Sequence, residues 1–154
     1  MSTDSLKTIR WPELLGVAAV VVSVLLLALE IQQNTVVASA QAMAELNALA
    51  NDMLSSEAQN QTLAELLEKG DGDLNALSRA EARQYHAHVY ALINVIDAAY
   101  GFYQRGILDE DDFSGWRAYA CAYLGGSSVN TLWNAEKETF GVDFVKFVAD
   151  SCGL

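Results

Sequence analysis

Sixteen consecutive residues without a charge, LLGVAAVVVSVLLLAL at residues 14–29, constrain this chain more than anything else in it. Ile31 follows after Glu30, and counting from Trp11 gives 21 residues, close to the ~20 that cross a ~30 Å hydrocarbon layer as an α-helix. Trp11 suits an interfacial anchor, and Pro12 suits a first helical turn, where its missing N–H costs no hydrogen bond. Glu13 falls where the helix dipole favours an anion. The competing reading is the core helix of a soluble fold. A chain of 154 residues has little other material with which to surround such a helix. Residues 11–31 are therefore expected to span a membrane, with Trp11, Leu14, Val20, Leu25, Leu29 and Ile31 among the anchoring side chains and the lipid bilayer as their partner.

Orientation follows from the flanking cations. Lys7 and Arg10 precede the span and the next cation after it is Lys69, so the positive-inside rule puts residues 1–10 in the cytoplasm and residues 32–154 on the far side. A cleavable signal peptide is the alternative, because Lys7 and Arg10, the apolar block and Ala38-Ser39-Ala40 resemble its three regions. That small-residue site lies nine residues beyond Leu29, far from the apolar block, and an uncleaved signal-anchor is the expectation.

The whole chain carries 9 Lys+Arg against 20 Asp+Glu, a formal net charge of -11, yet 52% of it is hydrophobic. The two properties separate by position. Leaving out Lys7, Arg10, Asp4, Glu13 and Glu30, residues 32–154 hold 7 Lys+Arg and 17 Asp+Glu, a net charge of -10. Nothing there offers the clustered cations that phosphate backbones require, which excludes nucleic acid as a partner.

One Pro in the chain and many Ala, Leu and Glu argue for an all-α fold. No Pro or Gly interrupts residues 17–69, so the membrane helix is expected to continue as a stalk to about residue 56. Met43, Leu46, Ala50 and Met53, with Leu49 and Leu54 beside them, give it a narrow apolar stripe that needs a neighbour, in its own domain or in another copy. A compact helical domain follows. A short helix is expected at 62–69, stopped by Gly70, then a loop at Asp71-Gly72-Asp73. Ser78 and Glu81 form a capping box for a helix running to Arg105, stopped by Gly106, with Tyr85, Val89, Leu92, Ile93, Ile96, Tyr100 and Tyr103 inward. Asp109, Glu110, Asp111 and Asp112 open another, with Phe113, Trp116, Ala120 and Tyr123 inward. Ser127 or Ser128 is expected to cap a segment through Trp133, and Asp143 to cap the last helix.

Several segments together resemble a group of small bacterial membrane-anchored helical proteins with no established activity. They are Glu13-Leu14-Leu15-Gly16, then Glu30-Ile31-Gln32-Gln33-Asn34-Thr35, then Asn94 with Asp97-Ala98-Ala99-Tyr100, and Gly106-Ile107-Leu108-Asp109-Glu110. Trp116, Trp133, Phe140, Phe144 and Phe147-Val148 extend the likeness over most of the chain. The resemblance implies this architecture and membrane anchoring in a bacterium; with the orientation read from Lys7 and Arg10, the expectation is a single-pass protein of the inner membrane with its helical domain in the periplasm. Cysteine is not typical of that group, so Cys121 and Cys152 are particular to this chain.

Candidate chemistry is sparse. His86 and His88 point about 200° apart on a helix and cannot chelate one metal together. Arg83, His86, Tyr90, Asn94 and Asp97 fall on neighbouring faces, where they form either a small-ligand site or a hydrogen-bonded seam between helices. Asp71-Gly72-Asp73-Leu74-Asn75 begins like a calcium loop, but Ala76 and Ala82 stand where that loop needs Gly and Glu. The run at Asp109 complements a helix dipole, or meets a divalent cation or basic partner. Gly125-Gly126-Ser127-Ser128 lacks a cationic companion for anion binding. No nucleophile has a recognisable base, so neither an enzyme nor a cofactor is expected, a membrane-bound hydrolase being the weakest alternative. Cys121 and Cys152 are a candidate disulfide if the domain is extracytoplasmic, and reduced core residues if it is not. The stripe and the aromatics point to a structural or accessory subunit that self-associates or joins a larger membrane complex. The alternative is a periplasmic sensor-type domain that binds a ligand and signals through a partner.

Overall fold

The computed structural model describes residues 11–154; the segment 1–10, with the Lys7 and Arg10 orientation signal, and the side chains of Pro12 and Glu13 lie outside the described residues. Among those described, the chain is all-α, with six helices, two short 3-10 turns and no strand. Its internal contacts divide it between Ala38 and Ser39.

Helix α1 (Trp11–Gln59) passes through that division without a break, as the absence of Pro and Gly from residues 17–69 allows. In the first unit every side chain from Leu14 to Val37 is exposed, with Leu25 at 58% and Ile31 at 66%. This helix is long and apolar enough to cross a membrane, and none of its apolar window is buried. The two hydroxyls there, Ser23 and Thr35, donate to the carbonyls of Ala19 and Ile31 at 2.8 and 3.0 Å, so each is satisfied within the helix itself.

The second unit starts at Ser39 and contains the rest of α1, then α2 (Gln61–Gly72), α3 (Arg79–Gln104), α4 (Glu110–Leu124), α5 (Ser127–Glu136) and α6 (Val142–Cys152). Helix α1 reaches Gln59, three residues past the expected end, because Asn60 takes an extended backbone and its side chain accepts the Leu63 N–H. The capping box of α3 is complete. The Ser78 hydroxyl accepts the Glu81 N–H, and the Glu81 carboxylate accepts the Ser78 N–H at 2.6 Å. Lys69 donates to the same carboxylate at 2.8 Å, and these two bonds, the lysine's foremost, hold Glu81 down to about 2. Gly106 turns the chain after α3 with φ 68°, a left-handed conformation that suits glycine.

Four local expectations are corrected. Gly70 does not stop α2 but lies buried inside it, because the Tyr85 ring of α3 occupies the place where a Cβ would stand. Asp71 and Gly72 accordingly belong to the helix and not to a loop. Gly126 and Gly141, without side-chain caps, occupy the N-cap positions expected of Ser127 or Ser128 and of Asp143. Ser127, Ser128 and Asp143 stand instead in the first turns, where Asp143 still meets the helix dipole.

The core gathers Leu46 and Ala42 of α1 with Leu66, Leu67, Tyr85, Val89, Ile93, Ile96, Phe113, Trp133, Phe144 and Val148. The apolar stripe of α1 thus finds its neighbour in its own domain, although Leu49 and Leu54 remain exposed. Trp116 and Tyr123, expected inside, are only half-buried, and Leu124 takes the inner place instead. Cys121 of α4 and Cys152 at the end of α6 are joined as a disulfide, with their Cα atoms 5.0 Å apart.

Candidate functional site: an apolar cavity

Helix α3 carries the residues that the sequence offered as a ligand site, and the structure separates them. His86 Nε2 lies 2.8 Å from a Glu136 carboxylate oxygen on α5, and the Tyr90 hydroxyl lies 3.1 Å from the Thr139 hydroxyl. The Tyr90 ring packs 5.1 Å from Phe140. Between His86, Tyr90, Trp133 and Phe140 there remains a space of about 10 Å³, which makes this a closed seam between helices. The Asn94 amide donates to the Tyr90 carbonyl of its own helix. Arg83 is exposed, and Asp97 sits half-buried toward Tyr100; neither is hydrogen-bonded to His86 or Tyr90. Burial alone holds the Asp97 carboxyl above the usual carboxylate range.

The other acidic motifs are engaged within the fold. Asp73 accepts the Asn75 N–H at the start of a 3-10 turn, and Asp109 accepts the Asp112 N–H as N-cap of α4. Glu110 pairs with Arg117, and Asp112 accepts from the Ser39 hydroxyl at 3.4 Å. Ser128 donates to the carbonyl of Asp71, satisfying the end of α2.

The opposite side of α3 is different. A cavity of about 560 Å³ opens between the second half of α1 and helices α2, α3 and α4, a volume within the ~300–1,000 Å³ of ordinary small-molecule sites. Its buried lining is Leu67, Tyr85, Val89 and Leu92; its half-buried lining is Met43, Met53, Trp116 and Tyr123; Leu54 and Tyr119 stand exposed at its edge. Two features keep the space open. Helix α1 makes few close backbone approaches to the other helices, whereas α3, α4 and α6 pack closely together. Gly115, inside α4, presents no side chain, and a Cβ there would meet nothing within 4 Å.

Glu57, Asp71 and Asp112 line this apolar volume together with His88, and among the described residues these acidic groups have no Lys or Arg beside them in the lining. The Tyr85 hydroxyl donates to Asp71 at 2.6 Å. Burial first, and then the neighbouring Asp71, hold the Tyr85 phenol well above its usual range. Burial raises Tyr123 as well, with Tyr119, Asp71 and Glu57 adding to it, so both carboxylates act on that hydroxyl.

No family model, curated protein or solved structure matches this chain. Function must therefore be read from the site. Its described lining sets Glu57, Asp71, Asp112, His88 and three tyrosines among apolar side chains, an arrangement that offers surface and fixed charge for binding. The sequence did carry one signal of it. His86 and His88 had to face opposite ways, and they do: His86 enters the closed seam and His88 the cavity.

Proposed function

We propose that this is a single-pass protein of the bacterial inner membrane whose helical domain, outside the cytoplasm, binds a small, largely apolar molecule. The observation that carries the proposal is the cavity of about 560 Å³. The exposed apolar helix supports the anchor, and the disulfide between Cys121 and Cys152 supports an oxidising compartment. Ala38-Ser39-Ala40 lies inside continuous helix, which favours an uncleaved anchor over a processed signal peptide.

The assembly reading keeps less support. Its motives were the stripe on α1 and the aromatic residues, and the fold spends most of both on its own core: Leu46, Trp133 and Phe144 are all buried. What favours it still is Leu49 and Leu54, 46% and 57% exposed on α1.

Native mass spectrometry of the full chain released from membranes in mild detergent separates the two. Gly115→Leu is the control, since the added side chain enters open space and replaces a poor helix former. Ligand binding predicts a small-molecule adduct on the parent that Gly115→Leu lacks. Oligomers or a co-purifying protein, with no such adduct on either chain, would replace this reading with assembly.

A further inference from the structure

The cavity's charge narrows the class of molecule, an inference that rests on the ligand-binding reading above. Glu57, Asp71 and Asp112 reach it from three different helices, and no cation among the described residues neutralises them there. Asp71 accepts from the Tyr85 hydroxyl and Asp112 from Ser39, neutral donors that leave the negative charge of the lining in place, and an occupant of opposite charge complements it. An inorganic ion does not meet this arrangement. Calcium or magnesium draws about six or more oxygens to ~2.0–2.6 Å, and no group of three or more His, Cys, Asp or Glu converges to hold a metal among the described residues. Carboxylates from three helices in one lining with Trp116 and Tyr123 suit a larger, weakly hydrated cation instead, whose charge spreads over the faces of aromatic rings.

We propose that the cavity binds an organic ammonium carrying an apolar tail, with the cationic head between Glu57, Asp71 and the ring faces of Trp116 and Tyr123, and the tail against Met43, Met53 and the buried Leu92. Methionine suits the tail end, because its unbranched thioether adapts to chains of different length. The anionic rim also disfavours fatty acids and phosphate-bearing molecules, which share the tail but carry the wrong charge.

The test uses the full chain in phosphatidylcholine nanodiscs, titrated calorimetrically with three probes of equal tail length: hexyltrimethylammonium, hexan-1-ol and hexanesulfonate, with protein-free nanodiscs subtracted. The cation should bind about tenfold or more tighter than the alcohol, and the sulfonate should not bind. Glu57→Gln should reduce the cation's affinity several-fold and leave the alcohol's unchanged, while Gly115→Leu, folded to the same melting temperature or higher, should abolish both. Equal affinity for cation and alcohol, or tighter sulfonate binding, overturns the ammonium assignment and leaves the ligand-binding reading in place. No binding of any probe above the protein-free control overturns both.

Discussion

Val89 stands between two unlike halves of the same domain: on one side of α3 a seam with about 10 Å³ to spare, on the other a cavity of about 560 Å³. The closed side is built from rigid rings. Trp133 meets Phe144 edge-on at 5.8 Å and Phe140 at 5.5 Å, and Tyr100 stacks on Phe147 at 4.6 Å. A disulfide ties α4 to α6. The open side is lined by flexible Met43 and Met53, by Gly115 and by the one helix that stays at a distance from the others. Close packing is thus not a general property of this domain. Both sides have aromatic rings, and the space persists where α1 makes few close backbone approaches and Gly115 presents no side chain.

Tryptophan gives the sharpest comparison, because each half has one. Trp133 is fully buried on the closed side and Trp116 half-buried on the cavity. Trp133→Ala should destabilise by about 3–5 kcal/mol, lowering the melting temperature by roughly 10 °C or more. Trp116→Ala should cost about 1 kcal/mol. Thermal unfolding of both variants in nanodiscs decides it, and equal losses would erase the distinction between the two halves.

The covalent tie comes next. Replacing Cys121 and Cys152 together by Ser opens a link across 31 residues and should cost about 3 kcal/mol in chain entropy. Reductant added to the parent should reproduce the fall in melting temperature. A parent indifferent to reductant would mean that the aromatic packing alone holds α6 in place.

What the sequence made legible was whatever depends on near neighbours. The capping box at Ser78 and Glu81, the inward face of α3 from Tyr85 to Tyr100, and the apolar helix all follow from spacings of a few residues, and the structure carries each of them. Gly70 shows where such reasoning stops. A glycine after a charged turn reads as a helix end, but here it is required by a ring that arrives from another helix. The cavity was illegible for a related reason. Trp116, Tyr123 and Met53 sit at helical spacings that say "inward" equally well for a filled core and for the wall of a space, and only how closely α1 approaches the other helices separates the two.

Gly70→Ala probes that junction directly. Tyr85 is 1% exposed and its hydroxyl is held by Asp71, so the ring cannot yield without losing a hydrogen bond or moving the cavity wall. Overpacking should cost about 1–3 kcal/mol, and because Tyr85 lines the cavity, ligand affinity should fall with stability. Stability unchanged, read from the denaturant midpoint, would show that α2 is free to shift away from α3.

The smallest effect lies at Asp97, a charge placed beside the Tyr100 ring that belongs to the closed side. Burial holds its carboxyl above the range it has in the unfolded chain, so the folded state prefers the protonated form. The stability this provides is complete below the ordinary carboxylate range near about pH 4 and is lost as the pH rises through the raised value. At neutral pH the charge therefore works against folding. Asp97→Asn should raise the melting temperature at about pH 7 by a degree or two, and the gain should fade toward about pH 4, where the parent's own carboxyl is protonated. A gain of the same size at both pH values would assign the effect to the amide's packing; no gain at neutral pH would show that the closed half admits enough water to carry the charge at no cost.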